Sequence, residues 1–247
     1  MREVLLASLA LTASCRGAPT PAAPLRVAAA SDLTDAFTDL AARFESLTGT
    51  RVALTFGSSG MLSRQIAEGA PFDLFASADV SFVDRAVASG RCDAGSLSRY
   101  ARGRLALVTR PGAPTPDAIT ALASPAFARV AIANPEHAPY GRAAMQSLDR
   151  AGVLDAVRPR LVFAENVRQA LQLATSGNAD AAIVARALVN DRALALPSSL
   201  HDPLEQALVA CGPSPARRAL ARRFAALVLG PEGREALSRR GFDPPSR

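Results

Sequence analysis

Hydroxyl, amide and carboxyl groups able to handle a ligand gather in this chain where short apolar runs end and helix-patterned segments begin. The fullest example is Asn134-Pro-Glu-His-Ala-Pro-Tyr-Gly141, set between the apolar run 130–133 and a helix-patterned stretch. A Pro- and Gly-punctuated turn of this kind leaves backbone N–H groups unpaired at a helix start, where they can hold an anion. Tyr140 adds a phenolic O–H and a backbone N–H; its alternative role is packing between two layers. Three other junctions repeat the arrangement. In Ala30-Ser31-Asp32, Ser31 could donate its hydroxyl to a ligand, or Ser31 or Asp32 could cap the following helix. In Phe56-Gly57-Ser58-Ser59-Gly60-Met61, two hydroxyls lie between glycines that let a ligand approach the backbone closely. A flexible turn and a serine nucleophile are the competing readings there. In Ala164-Glu165-Asn166-Val167, the N–H of Val167 opens the next helix.

The residues that are missing narrow the chemistry. All 28 basic residues are Arg, so a Walker A loop and a pyridoxal Schiff base, which both need a lysine amine, are excluded. No HExxH or CxxC pair is present, so no metal site built from side chains and no cofactor is expected. The second loop does not have the G-x-S-x-G spacing that exposes a hydrolase serine. A nucleophile there would need His137 or His201 as its base, with no positional signal favouring either. The net charge of +6 comes from scattered arginines, and only Arg217, Arg218, Arg222 and Arg223 cluster, at the spacing of a solvated helix face. With two Tyr and no Trp, base stacking has little support, and no nucleic acid is expected as a partner. None of the four loops carries an Arg at its centre. Hydroxyls and helix-start amides would bind an anion through dipoles and hydrogen bonds, without a buried cation that would hold it too tightly to release.

The elements that must position these loops alternate. Strands are predicted over 25–30, 51–56, 73–77, 105–109, 130–133, 161–163, 181–184 and 204–210. Helices are predicted over 33–47, 61–67, 82–89, 142–151, 168–176, 215–229 and 233–240. The alternation argues for α/β architecture with a parallel sheet, and open α/β folds bind ligands at strand ends. Because the four loops fall in both halves of the chain, a cleft between two domains is the natural site. The apolar fraction of 49% over 247 residues is ample for a packed core.

The first 24 residues read as a leader and linker: Arg2, an apolar stretch over 4–13 too short to span a bilayer, then a Pro-rich segment. Leu11-Thr12-Ala13-Ser14-Cys15 resembles a lipoprotein cleavage box, with Thr12 where such boxes usually carry Leu. Lipidation at Cys15, ordinary signal cleavage and an unprocessed start are the open readings, and export by either of the first two puts the mature protein outside the cytoplasmic membrane. Cys92 and Cys211 then remain, an even pair in an oxidising compartment, to be disulfide-bonded or buried as thiols.

From about Leu25 to its end the chain resembles the molybdate-binding proteins of ABC transporters, in the type II periplasmic binding protein superfamily. The resemblance rests on Val27-Ala-Ala-Ala-Ser-Asp-Leu33, Phe56-Gly-Ser-Ser59, Gly69-Ala-Pro-Phe-Asp-Leu-Phe-Ala-Ser-Ala-Asp79, Asn134 to Gly141, Ala164-Glu-Asn-Val-Arg-Gln-Ala-Leu171 and Gly241-Phe242. It implies two α/β domains, 25–103 plus 206–247 and 104–205, closing around molybdate or tungstate. It implies delivery to a membrane permease and its ATPase by a monomeric binding protein that does no chemistry, with molybdenum held as the oxyanion. The implied ligand residues are Ser31, Ser59, Tyr140 and Val167, the last two through their amides, with Asp32 and Ser58 as further candidates. Two positions depart from the family pattern. Ala185 stands where some members place a tyrosine, and Asp32 aligns with the ligand serine of some members. An unpaired carboxylate facing a dianion is costly, so Asp32 is expected to turn away and cap the helix while Ser31 faces the ligand. Three alternatives remain: another tetrahedral oxyanion such as sulfate or phosphate, a serine hydrolase, and the effector domain of a transcription factor. The last would need a DNA-binding helix-turn-helix, for which residues 1–24 leave no room.

Overall fold

The computed structural model describes residues 23–191 and 193–246. The predicted leader and Cys15 lie outside the described residues, apart from positions 23 and 24. The remaining chain forms two five-stranded sheets. The first contains β1 (Leu25–Ala30), β2 (Val52–Gly57), β3 (Leu74–Ser77), β4 (Ser98–Gly103) and β10 (Leu204–Ala210), in the order β2-β1-β3-β10-β4. The second contains β5 (Leu105–Thr109), β6 (Val130–Ala133), β7 (Leu161–Ala164), β8 (Ala181–Ala185) and β9 (Leu194–Ala195), in the order β7-β6-β8-β5-β9. Helices α1 (Thr34–Thr48), α2 (Ser59–Ala67), α3 (Val80–Ala88), α7 (Pro215–Leu229) and α8 (Pro231–Arg239) accompany the first sheet. Helices α4 (Pro139–Arg150), α5 (Leu154–Val157) and α6 (Val167–Thr175) accompany the second.

The sheets are mixed rather than parallel. β10 runs antiparallel to both β3 and β4, and β5 antiparallel to β8. The chain leaves the first sheet along β4, crosses at Arg104 into β5, and returns along β10, so the strand that enters each sheet from a crossing, β5 in the second and β10 in the first, runs against its βαβ units. The sequence reading lacks β4, because Ser-Arg-Tyr-Ala-Arg-Gly has no apolar run and owes its strand state to pairing with β10. It also lacks β9, two residues pairing with β5.

Strand β1 is buried on both faces. Val27 and Ala29 pack in the cluster that holds Phe37, Phe44 and Phe224, while Ala28 faces Leu62, Ile66, Phe75 and Phe82 on the other side, as the two-residue period of a strand requires. Phe224 of α7 meets Phe37 and Phe44 of α1 edge-on, at centroid distances of 5.8 and 5.4 Å. Cys92 and Cys211 form a disulfide of 2.02 Å that ties the turn after α3 to the end of β10.

Parallel register aligns the strand ends. Ala30 pairs with Gly57, and Ala133 with Ala164. The loops after β1 and β2 therefore leave side by side, as do those after β6 and β7. The helices start earlier than the hydrophobic period indicated: α2 begins at Ser59 and α4 at Pro139. Ser59 and Tyr140 are therefore first-turn residues, not loop residues.

Candidate functional site

The four strand-end loops converge on one small cavity between the sheets, of ≈ 10 Å³, room for about one water-sized sphere and far below the roughly 300 to 1,000 Å³ of clefts for drug-sized ligands. Ser31, Asp32, Ser58, Ser59, Tyr140 and Val167 all line it, together with Ala78 from the loop after β3. Larger grooves exist on the surface, but none gathers the four loops. Among the described residues, no cationic side chain lines the cavity.

Local structure leaves donors facing inward. The Ser59 Oγ accepts from the N–H of Ala78 at 3.0 Å, which occupies a lone pair and leaves its O–H proton free to donate. Asn166 caps α6 by accepting from the N–H groups of Arg168 at 3.1 Å and Gln169 at 3.0 Å, and the Val167 amide, one residue ahead, is left at the cavity wall. Helix α4 opens with Pro139, which has no N–H, so the first amide it presents is that of Tyr140. The Ser31 carbonyl accepts from Thr34 Oγ1 at 2.7 Å, which holds the turn that brings the Ser31 side chain to the wall.

Contacts between the two halves surround the cavity. Ser58 Oγ lies 2.9 Å from His137 Nδ1, and the Gly60 N–H donates to the His137 carbonyl at 2.9 Å. A Cβ on Gly60 would lie 2.7 Å from that carbonyl and 2.9 Å from Phe82 Cε1, so the approach depends on glycine. Arg142 of α4 pairs with Asp79 at the start of α3, and its guanidinium lies 5.1 Å from the Phe82 ring centroid. His137 thus bonds a serine of the opposite half. The distance that a serine hydrolase needs is thus met by Ser58 and His137. The rest of such a site is missing: among the described residues no carboxylate bonds the imidazole, and the strained elbow spacing is absent. His201 lies elsewhere, its Nδ1 2.7 Å from the Asp202 carbonyl oxygen.

Asp32 overturns the expectation that it caps α1. No side-chain cap is made there. Its Oδ2 accepts from Tyr140 Oη at 2.9 Å and Gln206 Nε2 at 2.6 Å. Tyr100 donates to Gln206 Oε1 at 2.7 Å, which turns the Gln206 amide so that its NH2 faces Asp32. A Cβ on Gly103 would come within 2.3 Å of Tyr140 Oη and 3.0 Å of Gln206 Nε2, so glycine at the end of β4 makes room for the network. These neutral donors, buried residues of α4 and β10, take the carboxylate in place of the helix start. Burial pushes the Asp32 carboxyl up to about 6, against the opposing pull of Gln206, Tyr140 and the first-turn amides. Burial, and the nearby Asp32 charge, push the Tyr140 and Tyr100 phenols well above their ordinary value.

Sequence reasoning missed Ala78, Tyr100, Gly103 and Gln206. For Gln206 a signal exists: it is the buried amide in the otherwise apolar stretch Ala207 to Ala210 and its flank, and a buried amide needs partners.

A model of the bacterial extracellular solute-binding proteins matches residues 25–243. The chain belongs to this family. It is 33% identical over 244 residues to the molybdate-binding protein ModA of Azotobacter vinelandii, covering 95% of each chain. It is 32% identical over 229 residues to ModA of Escherichia coli K12, covering 88% of each. The solved structure of the A. vinelandii periplasmic molybdate-binding protein superposes with a TM-score of 0.84 at 31% identity, covering 90% of this chain and 100% of that one. The two mixed sheets of this solute-binding protein are therefore a type II periplasmic binding protein fold. The sulfate-binding protein SubI of Mycobacterium tuberculosis shares that fold, with a TM-score of 0.73 at 16% identity over 90% of this chain and 86% of that one.

Proposed function

We propose that this protein captures molybdate, and tungstate with it, in the cleft between its two halves, and that it works outside the cytoplasmic membrane as the binding component of an ABC importer. One observation carries this reading: serine hydroxyls and helix-start amides from four loops converge on one small cavity that, among the described residues, no cationic side chain lines. Its relatives named for molybdate binding cover nearly the whole chain, and they are binding proteins rather than enzymes. Ser31 and Ser59 donate through hydroxyls, Tyr140 and Val167 through amides, and Ser58, held by His137, is a further donor. The halves 25–103 with 206–247, and 104–205, close on the anion as separate domains, and the loaded monomer docks on a permease driven by its ATPase. A lipid on Cys15 would tether it at the membrane.

Asp32 supports one second reading, a protonated oxyanion such as hydrogen phosphate that donates to the carboxylate. Magnitudes favour a neutral Asp32 beside a full dianion instead. Unit charges about 4 Å apart repel by about 4 kcal/mol at an effective dielectric near 20, whereas protonating a carboxyl one pH unit above its pKa costs about 1.4 kcal/mol.

Competitive calorimetric titration with molybdate, tungstate, sulfate and phosphate tests the reading. Molybdate and tungstate are expected to bind with submicromolar Kd, and Ser59→Ala to weaken molybdate by about 1 to 3 kcal/mol. Heat with none of the four anions would sink the proposal, and heat with phosphate alone would hand it to the second reading.

A further inference from the structure

Asp32 has one carboxylate oxygen that the protein leaves without a partner. Oδ2 accepts from Tyr140 Oη and Gln206 Nε2, and the first-turn amides of Asp32 and Leu33, though near enough to pull on the carboxyl, make no hydrogen bond to Oδ1. Oδ1 is buried and has no hydrogen-bond partner, in a residue 2% exposed that lines the cavity. Gln206 has no second orientation to offer, because its Oε1 is already held by Tyr100. A buried acceptor without a donor is costly, and an ionised one in the wall of an anion site is more so. A protonated oxygen at the same place is a donor, which is what that site requires.

We propose that Asp32 is a specificity-determining residue that is neutral when the cleft is loaded: its Oδ1–H donates to an oxygen of the bound dianion, and each capture takes up one proton from solvent. The inference rests on the oxyanion reading of this cleft. Its proton balance is simple, since one solvent proton adds to Oδ1 on loading and returns to solvent on release, with no bond broken in the ligand.

The surroundings isolate Asp32 as the group that titrates. From α4 it faces Tyr140, and from β4 Tyr100 stands behind Gln206; both phenols remain protonated through the neutral range. From β10 it faces the neutral amide of Gln206. Val167 at the start of α6 contributes only an amide to the cavity wall, and Arg168 is engaged by Asp35, at 3.8 Å. From the loop before α4, the His137 imidazole reaches the cavity wall through Ser58, at 2.9 Å, and is the second group that the test must separate from Asp32. Burial already holds the Asp32 carboxyl near 6, and a neighbouring dianion drives it higher. At neutral pH the free protein is thus mostly ionised at Asp32 and the loaded protein is not.

The test is calorimetric titration of the full protein with sodium molybdate, at about pH 7 and about pH 8, each in two buffers of different ionisation enthalpy. Wild type is expected to take up about one proton per molybdate, and its Kd to rise about tenfold over that pH unit. In Asp32→Asn, where the amide NH2 replaces the O–H donor, the heat should not depend on the buffer and Kd should vary less than about twofold. Wild-type binding without proton uptake overturns the proposal and leaves the oxyanion reading intact. A pH slope that survives in Asp32→Asn and disappears in His137→Asn also overturns it, assigning the proton to the imidazole. Absence of molybdate binding by wild type at either pH defeats the oxyanion reading itself. Should Asp32→Asn not fold, as judged by circular dichroism, the wild-type proton count decides alone.

Discussion

Asp32 and Asp73 are buried carboxylates at opposite ends of one sheet, Asp32 after the end of β1 and Asp73 just before the start of β3. Their partners differ in kind. Asp73 receives Arg26 through its backbone N–H at 2.8 Å and its guanidinium at 3.2 Å, and Arg217 through Nε at 3.0 Å and a second, shorter bond. Asp32 receives a phenol and an amide. Burial raises both carboxyls. At Asp73 the two arginines more than offset it and hold the group below the ordinary carboxylate range, whereas at Asp32 nothing does and the group rises to about 6. A buried carboxylate with cations is a permanent charge that joins elements, here β1, β3 and α7. One with only neutral donors can change protonation when something charged arrives. The two arginines that reach Asp73 stand at the end of the sheet away from the cavity.

Three experiments press on this contrast. The largest effect is expected from Asp73→Ala, which leaves two guanidinium groups facing a buried site: a loss of about 3 to 5 kcal/mol in urea unfolding. A loss below about 1 kcal/mol would show that Asp73 is no joint. Next comes the pH dependence of stability without ligand. A raised acid destabilises the folded state where it is ionised, so the Asp32 penalty is absent below the unfolded value near 4 and fully present above about 6. A shift from 3.8 to about 6 corresponds to about 3 kcal/mol. Asp32→Asn should therefore be more stable than wild type by about 1 to 3 kcal/mol above pH 7 in thermal unfolding, with the gain fading towards about pH 4. Asp73 has the opposite sign: its stabilisation is present above the unfolded value and is lost as pH falls through its lowered folded value. A gain in Asp32→Asn that does not vary with pH would dissolve the contrast. The smallest effect belongs to Tyr140→Phe, which removes one donor from Oδ2 and costs about 1 kcal/mol. In a carbon NMR titration it should move the Asp32 carboxyl upward; a downward shift would mean that the phenol does not stabilise the ionised form.

The same contrast separates what the chain discloses locally from what it does not. Ser31, Ser59, Tyr140 and Val167 were legible because each stands where an apolar run gives way to a helical period, and that junction is a local pattern. Helix starts were less legible: α2 and α4 begin two and three residues before their hydrophobic periods, at Ser59 and Pro139, because their first turns are built from Ser, Gly and Pro, which read locally as turn residues. β4 was not legible, since its six residues become a strand only against β10, about a hundred positions later. The orientation of Asp32 was misread for a related reason. Locally the helix start is its nearest donor, and the competing donors, Tyr140 and Gln206, lie 108 and 174 positions away.

By itself, then, the sequence determined the alternation of strands and helices, the loops that end the strands, the want of lysine and the kind of ligand such loops suit, because these follow from residue types at short spacing. Only the tertiary structure decided that two strands run against the βαβ units, that Cys92 meets Cys211, that His137 reaches Ser58, and that Asp32 turns inward with one oxygen unclaimed. Those outcomes depend on groups far apart in the chain. Which donor a buried carboxylate finds is settled by packing between elements, and that is not written in its neighbours.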